Sequence, residues 1–437
     1  MNYIPNILFI IVLTFGVGFF VKNVKKLIRN IKLGQDTNVS DNKSQRWKNM
    51  AMIALGQSKM VRRPIAGLLH VIVYIGFVII NIEVLEIIID GIFGTHRIGL
   101  KVLPESIYGF LIGSFEVLAA LVFVSVIIFW LRRNIIKLQR FWKPEMTKWP
   151  KSDGNFILYF EMVLMALFLI MNATDVLFQD INSGNIISQY ITPLFSGLSE
   201  STLHLIERSA WWLHIVGILI FLNYLYYSKH LHILLAFPNT YYGKLTPKGQ
   251  FNNVEAVTKE VKMMMDPNID PFAAPTDDGN EEVPAKFGAS DVQDLSWVNL
   301  LNAYTCTECG RCTSECPANL TGKKLSPRKI MMDTRDRLEE VGKNIDANNG
   351  EFKDDGKQLL DNYITREELW ACTTCNACVE ACPVSIDPLS IILEMRRYLV
   401  MEQSAAPAEL NNMMTNIENN GAPWPYSQMD RLNWKNE

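Results

Sequence analysis

The chain has 437 residues, of which 49% are apolar and 20% charged, with a formal net charge of −3. That balance excludes a general nucleic-acid binder, which would carry a basic excess, so no nucleic-acid partner is expected. Eight cysteines over such a length are too sparse for a secreted disulfide scaffold. The mean hydropathy of +0.09 averages two unlike halves. Long apolar runs fill residues 1–237, and all the cysteines lie in residues 238–437.

Five apolar segments approach or exceed the roughly 20 residues needed to cross a bilayer: Ile4–Val21, Ile65–Ile89, Ile107–Leu131, Phe156–Phe178 and Ala210–Phe237. The first has no basic residue before it and no small-residue cleavage pattern after it, so it reads as a retained helix rather than a signal peptide. Lys and Arg number eleven between Lys22 and Arg63 and seven between Arg132 and Lys151. The intervening loops hold only Arg97 and Lys101 in one and Arg208 in the other. Basic loops stay in the cytoplasm. The expected topology is therefore a multi-pass inner-membrane protein with the N-terminus outside and the C-terminal half in the cytoplasm.

Beyond Phe237 the composition changes. Met263–Ser290 is rich in Pro, Asp and Gly without apolar periodicity, the mark of a linker or docking segment. Helical patterning returns over residues 291–400, as in Ser326–Val341 and Ser385–Val400, and the last 35 or so residues look irregular.

The cysteines form two copies of one pattern, C-x2-C-x2-C-x3-C-P, at Cys306, Cys309, Cys312 and Cys316 and at Cys372, Cys375, Cys378 and Cys382. Three closely spaced thiolates converge on one iron–sulfur cube, and the fourth reaches the other. Two [4Fe–4S] clusters are expected: one on Cys306, Cys309, Cys312 and Cys382, the other on Cys372, Cys375, Cys378 and Cys316. Zinc has no use for the third cysteine and its following C-P, and disulfides do not suit the cytoplasmic side. The 55 residues between Cys316 and Cys372 exceed a minimal ferredoxin insert and look helical. The fold class is thus all-α: a five-helix transmembrane bundle (1–237), a linker or docking segment (238–290), a cytoplasmic α-helical two-cluster ferredoxin domain (291–400) and an irregular tail (401–437).

Of six histidines, His70, His214, His230 and His232 sit in the membrane half, where ionisable groups are expensive and functional. Haem iron bound between two helices needs one imidazole from each at equal depth. His70 and His232 meet that requirement near the cytoplasmic side, with His230 as the fallback partner. His214 and His232 lie eighteen residues apart, five turns of a continuous helix and the same face. A second, outer haem would use His214, for which the outer half of the second span offers no histidine.

Five spans with His70 on the second and His214 and His232 on the fifth resemble a nitrate reductase gamma-type cytochrome b. The run WWLHIVGILIFLNYLYYSKHLHILLAF, followed by the two cysteine motifs, is similar to membrane-bound heterodisulfide reductase-like iron–sulfur oxidoreductases. The gamma-type family takes two haem ligands from its second helix, whereas this chain supplies only His70. The resemblance implies haem b, one or two, with quinone as the diffusible substrate. It also implies a cytoplasmic partner, either a catalytic subunit with cysteine-rich repeats of the CCG type or an electron-transfer flavoprotein. No cysteine is left here to build such a repeat.

Glu83, Glu86 and Asp175 are expected to share the outer side, as interfacial residues at helix ends or as groups where a quinol could lose protons, with Glu116 deeper in the third span. Arg62 and Arg63 flank the second span as interface anchors or as partners of haem propionates. Phosphate-binding glycine loops are absent. The reading is a membrane oxidoreductase subunit that carries electrons between a cytoplasmic partner and quinone, with bond chemistry on the partner and no catalytic residue of its own. A quinone reductase fed by electron-transfer flavoprotein is one alternative. A membrane iron–sulfur redox sensor is another, but it leaves the buried histidines idle.

Overall fold

A computed structural model describes residues 3–181, 183–247, 249–267 and 286–436. Most of the linker expected over Met263–Ser290 therefore lies outside the described residues. Helices α1 (Ile4–Ile31), α2 (Pro64–Phe93), α3 (Glu105–Asn134), α4 (Trp149–Thr174) and α5 (Glu200–Tyr224) form the bundle. Among the described residues five helices are long and apolar enough to cross a membrane, the last counted through Tyr227. Strands are absent there, and only isolated bridges such as Gln35 with Ser296 occur.

Local chemistry sets the ends of these helices. Pro64 occupies the first turn of α2, where its missing N–H costs nothing, and Gly94 closes the helix in the left-handed region at φ 69°. Ser199 caps α5 by accepting from the Thr202 amide. Helix α2 packs on α3, α3 on α4 and α4 on α5, while α1 closes against α5 and α2. Gly76 lets α2 approach α3, because a Cβ there would stand 2.4 Å from Val122 Cγ2. Outward faces carry exposed Phe15, Phe77, Leu85 and Phe110, an apolar surface suited to lipid rather than water.

The fifth span is not the single helix expected over Ala210–Phe237. Helix α5 stops at Tyr224, a short turn covers Leu225–Tyr227, and Ser228 is extended at φ −115° and ψ 147°. A second turn, Lys229–Leu231, leads into α6 (His232–Tyr241). The buried Asp153 carboxylate of α4 causes the break. It accepts from Tyr224 Oη and Ser228 Oγ at 2.6 Å each and from the Lys229 amide at 3.1 Å. These bonds satisfy polar groups that an unbroken helix would leave without partners in an apolar setting.

The iron–sulfur half follows with α7 (Trp297–Thr305), α8 (Pro327–Ala347) and α9 (Pro388–Arg397). The tail is less irregular than expected: α10 (Ala408–Asn420) forms within it. One apolar core runs through both halves, with Leu27, Phe221, Leu225 and Leu231 from the bundle end packed with Leu300, Tyr304, Ile330 and Met395. The C-terminal end of α1 is tied to α8 as well: Lys26 and Arg29 pair with Asp346, and Asn30 donates to Tyr304 Oη at 2.9 Å.

Arg337 on α8 is fully buried and bridges Asp291 at 2.7 Å and Asp355 at 2.6 Å. Replacing Arg337 with Leu leaves two carboxylates facing each other without their cation, at a cost of about 3–5 kcal/mol. A lowered melting temperature of the full chain in detergent, measured by the loss of helical circular dichroism, checks this. An unchanged value would show that the bridge contributes nothing.

Candidate redox centres

Both cysteine motifs fold alike. Left-handed residues stand two and four positions after each first cysteine: Glu308 (φ 53°) and Gly310 (φ 71°), then Thr374 (φ 56°) and Asn376 (φ 61°). The curl turns successive sulfurs toward one centre. At Gly310 an added Cβ would also lie 2.6 Å from Arg328 Nη1 and push that guanidinium aside. Cys306, Cys309, Cys312 and Cys382 line one cavity, together with Cys378, Met331 and Ile386. Cys316 lies instead beside the second motif, where its charge, after burial, raises Cys372 and Cys378. None of the eight cysteines is joined in a disulfide.

Burial pushes Cys306 up to about 12 and Cys382 to about 11, so without metal these sulfurs hold their protons, and iron must displace them. Amide donors for the sulfurs are in place. The Thr374 N–H donates to Cys372 Sγ at 3.4 Å, and the Ile386 N–H to Cys382 Sγ at 3.3 Å. Such bonds lower the energy of a charged cluster. Two soft, converging thiol quartets without disulfides fit [4Fe–4S] clusters.

The same end of the bundle holds three histidines. The His70 and His232 rings lie 6.3 Å apart at 41°. Two metal–imidazole bonds of about 2 Å each, plus the span from each nitrogen to its ring centre, come to about that separation. His232 Nδ1 lies 3.1 Å from the Lys229 carbonyl, which assigns it the proton and leaves Nε2 as a lone-pair donor. His70 Nδ1 is buried with no partner. His230 turns away, with Nε2 3.5 Å from Glu161, and its ring stands perpendicular to that of His232. His214 is buried on α5 with Nδ1 3.0 Å from the Leu164 carbonyl and its ring against Phe168. No other histidine contacts it among the described residues. His232 reaches His70 across the break in the fifth span, not along a continuous helical face.

Iron–sulfur half and bundle are joined by charge. Glu308, between cluster-motif cysteines, pairs with Lys229 of the histidine turn and with Arg335 at 2.9 Å. Burial would raise its carboxyl, but Lys229 and Arg335 override that and hold it down at about 2. Arg311 donates to the carbonyls of Lys59 and Met60 at 3.1 Å each. Arg62 pairs with Glu380, and Arg63 with Glu315 at 2.8 Å, so both arginines reach the iron–sulfur half. Sequence reasoning missed Asp153, Lys229 and Glu308. A charge placed beside a motif or inside a span was the available signal.

At the other end, the acids read as interfacial residues or as quinol-side groups hold the loops. Arg97 is buried and donates to Asp175 at 2.6 Å and to Asn172 at 2.9 Å. Asn172 donates to Glu116, which also accepts the Ile187 and Ser188 amides. Glu86 accepts from the Gly99 amide at 2.8 Å and from Tyr108 Oη. Of these acids, Glu83 keeps a buried oxygen with no hydrogen-bond partner among the described residues.

Comparison with known proteins agrees with the iron–sulfur assignment. The family "4Fe-4S dicluster domain" matches residues 305–386. The chain is 27% identical over 461 residues to the probable iron-sulfur-binding oxidoreductase FadF of Bacillus subtilis, covering 99% of this chain and 61% of that protein. It is 26% identical over 431 residues to the EtfAB:quinone oxidoreductase of Syntrophomonas wolfei, covering 91% and 55%. A third relative is one of the subunits of the ferredoxin/F(420)H(2)-dependent CoB-CoM heterodisulfide reductase of Methanosarcina acetivorans, 36% identical over 108 residues, 24% of this chain and 52% of that relative. The chain thus spans about three fifths of the longer relatives it matches. No solved structure matches it. These relatives are iron–sulfur oxidoreductases and reductase subunits, in keeping with an oxidoreductase subunit.

Exchanging ligands one at a time tests the crossed quartets. Cys382→Ala is expected to abolish the same electron paramagnetic resonance signal as Cys306→Ala, and Cys316→Ala the same signal as Cys372→Ala. If Cys382→Ala instead matches Cys372→Ala, each motif holds its own cluster.

Proposed function

We propose that the chain is the membrane electron-transfer subunit of a quinone-linked oxidoreductase, with two [4Fe–4S] clusters on residues 291–400 and haem b on His70 and His232 within residues 1–237. The observation that carries the reading is the convergence of both candidate centres at one end of the bundle. Glu308, next to Cys309, is ion-paired to Lys229, three residues before His232. A single buried ion pair therefore spans from the cluster motif to the histidine turn.

The residues themselves position, insulate and tune. The Lys229 carbonyl orients the His232 ring, so that Nε2 would hold the haem together with His70, which faces it from α2. The Cys thiolates hold the clusters, with amide donors, burial and the charge of Arg311 and Arg328 adjusting their potentials. Haem and clusters supply one-electron steps, so that the two electrons of a quinol pass singly. Quinone reaches the bundle through lipid. The basic loops support an inner-membrane topology with the N-terminus outside and the iron–sulfur unit in the cytoplasm.

A partner completes the enzyme. Similarity to the EtfAB:quinone oxidoreductase supports an electron-transfer flavoprotein, and similarity to heterodisulfide reductase subunits supports a CCG-type catalytic subunit. Residues 238–290 would form the docking segment.

Pyridine haemochrome analysis and an optical difference spectrum with a menaquinol analogue test the proposal. We expect b-type haem in the purified chain, reduced by quinol, lost in His70→Ala and His232→Ala and retained in His214→Ala. Intact clusters with no haem, or haem retained in both ligand variants, would sink it.

A further inference from the structure

Where the ends of α2 and α3 meet the iron–sulfur unit, a groove of ≈ 460 Å³ is lined by Arg62, Arg63, Arg132 and Arg140 over an apolar floor that includes Ile65 and Leu138. That is ample for a headgroup and far more than a water site needs. The four guanidiniums face few counter-charges. Arg62 and Arg63 are paired with Glu380 and Glu315. Arg132 has no side-chain hydrogen-bond or ion-pair partner among the described residues, and Arg140 stacks on Phe141 with its Nε buried and unpartnered. Arg132 is thus left without a counter-charge in the groove.

A second feature points the same way. The groove includes the first residues of α2, a 30-residue helix whose N-cap, Arg63, makes no side-chain capping bond. Its free amides and positive dipole end favour an anion. The bundle surface beside the groove is apolar and exposed: Ile65 and Leu68, one turn apart on α2, are each 63% exposed, and Ile135 and Ile136 follow the end of α3 at 64% and 63%. A basic hollow with aliphatic flanks at the end of two membrane spans has the shape of a lipid, phosphate inward and chains along the helices.

We infer that this groove binds the phosphate headgroup of an anionic phospholipid, held by Arg132 and Arg140 at the end of the bundle that faces the iron–sulfur unit. Guanidinium forks match phosphate oxygens bidentately. The lipid would neutralise the arginine cluster at this end of the bundle. This inference stands apart from the haem and quinone reading.

The test uses the full chain purified in mild detergent. Native mass spectrometry and extracted-lipid phosphate are expected to show an anionic phospholipid retained by the unaltered chain. The Arg132→Gln/Arg140→Gln double variant is expected to hold it about tenfold more weakly, with haem and iron content unchanged. Nanodiscs containing phosphatidylglycerol should raise the melting temperature above that in phosphatidylcholine alone, and the double variant should lose the difference. Equal lipid retention in both proteins, or equal stability in both lipids, would overturn the inference. So would the same stabilisation by inorganic phosphate in phosphatidylcholine, which would make the ligand a free anion. Loss of haem with lipid retained would assign the arginines to haem carboxylates instead.

Discussion

The arrangement depends on one buried carboxylate. Asp153 on α4 takes hydrogen bonds from Tyr224, Ser228 and the Lys229 amide, and so fixes the chain at the point where the fifth span stops. From that bend the three residues that matter diverge. Lys229 swings to Glu308, His230 faces Glu161 and His232 faces His70. An uncompensated carboxylate at this depth would be costly. Three donors of the break stabilise it, so the bend and the acid require each other.

Around that bend the bundle and the iron–sulfur unit behave as one body. A shared apolar core crosses the seam, and its edge is fastened by pairs of opposite charge, Arg29 with Asp346, Arg63 with Glu315 and Lys229 with Glu308. Apolar burial supplies the bulk of the association. The first two pairs are partly exposed and contribute little, whereas the buried Lys229–Glu308 pair contributes register more than net energy. The opposite end of the bundle uses its charges differently: Arg97, Asp175, Asn172 and Glu116 form a hydrogen-bonded chain that ties the loops together.

Much of this was legible in the residues. Apolar runs long enough to span a bilayer located the helices, because hydrophobic length is a one-dimensional property. The C-x2-C-x2-C-x3-C-P spacing named its cofactor for a similar reason: three ligands of one cube must lie within a single loop. The pairing of His70 with His232 was inferred from equal depth, and the structure sets those rings 6.3 Å apart. The reasoning used for the fifth span was less sound. A continuous helix would have put His214 and His232 on one face, but Ser228 and Asp153 interrupt it. Helical periodicity carries no sign of a bond to a residue some seventy-five positions away.

The sequence by itself thus determined the local and periodic facts: the five apolar segments of membrane-spanning length, the two thiol motifs, and the charge asymmetry of the loops. Tertiary structure alone decided which residues meet. It brought Cys382 to the first motif's cavity, Glu308 to Lys229, and Arg132 and Arg140 to the end of α2. It also gave Glu86, Glu116 and Asp175 their partners in and around the loops. The physical reason is that a side chain's role depends on the partner that satisfies its charge or hydrogen bonds once water is excluded, and such partners come from distant parts of the chain.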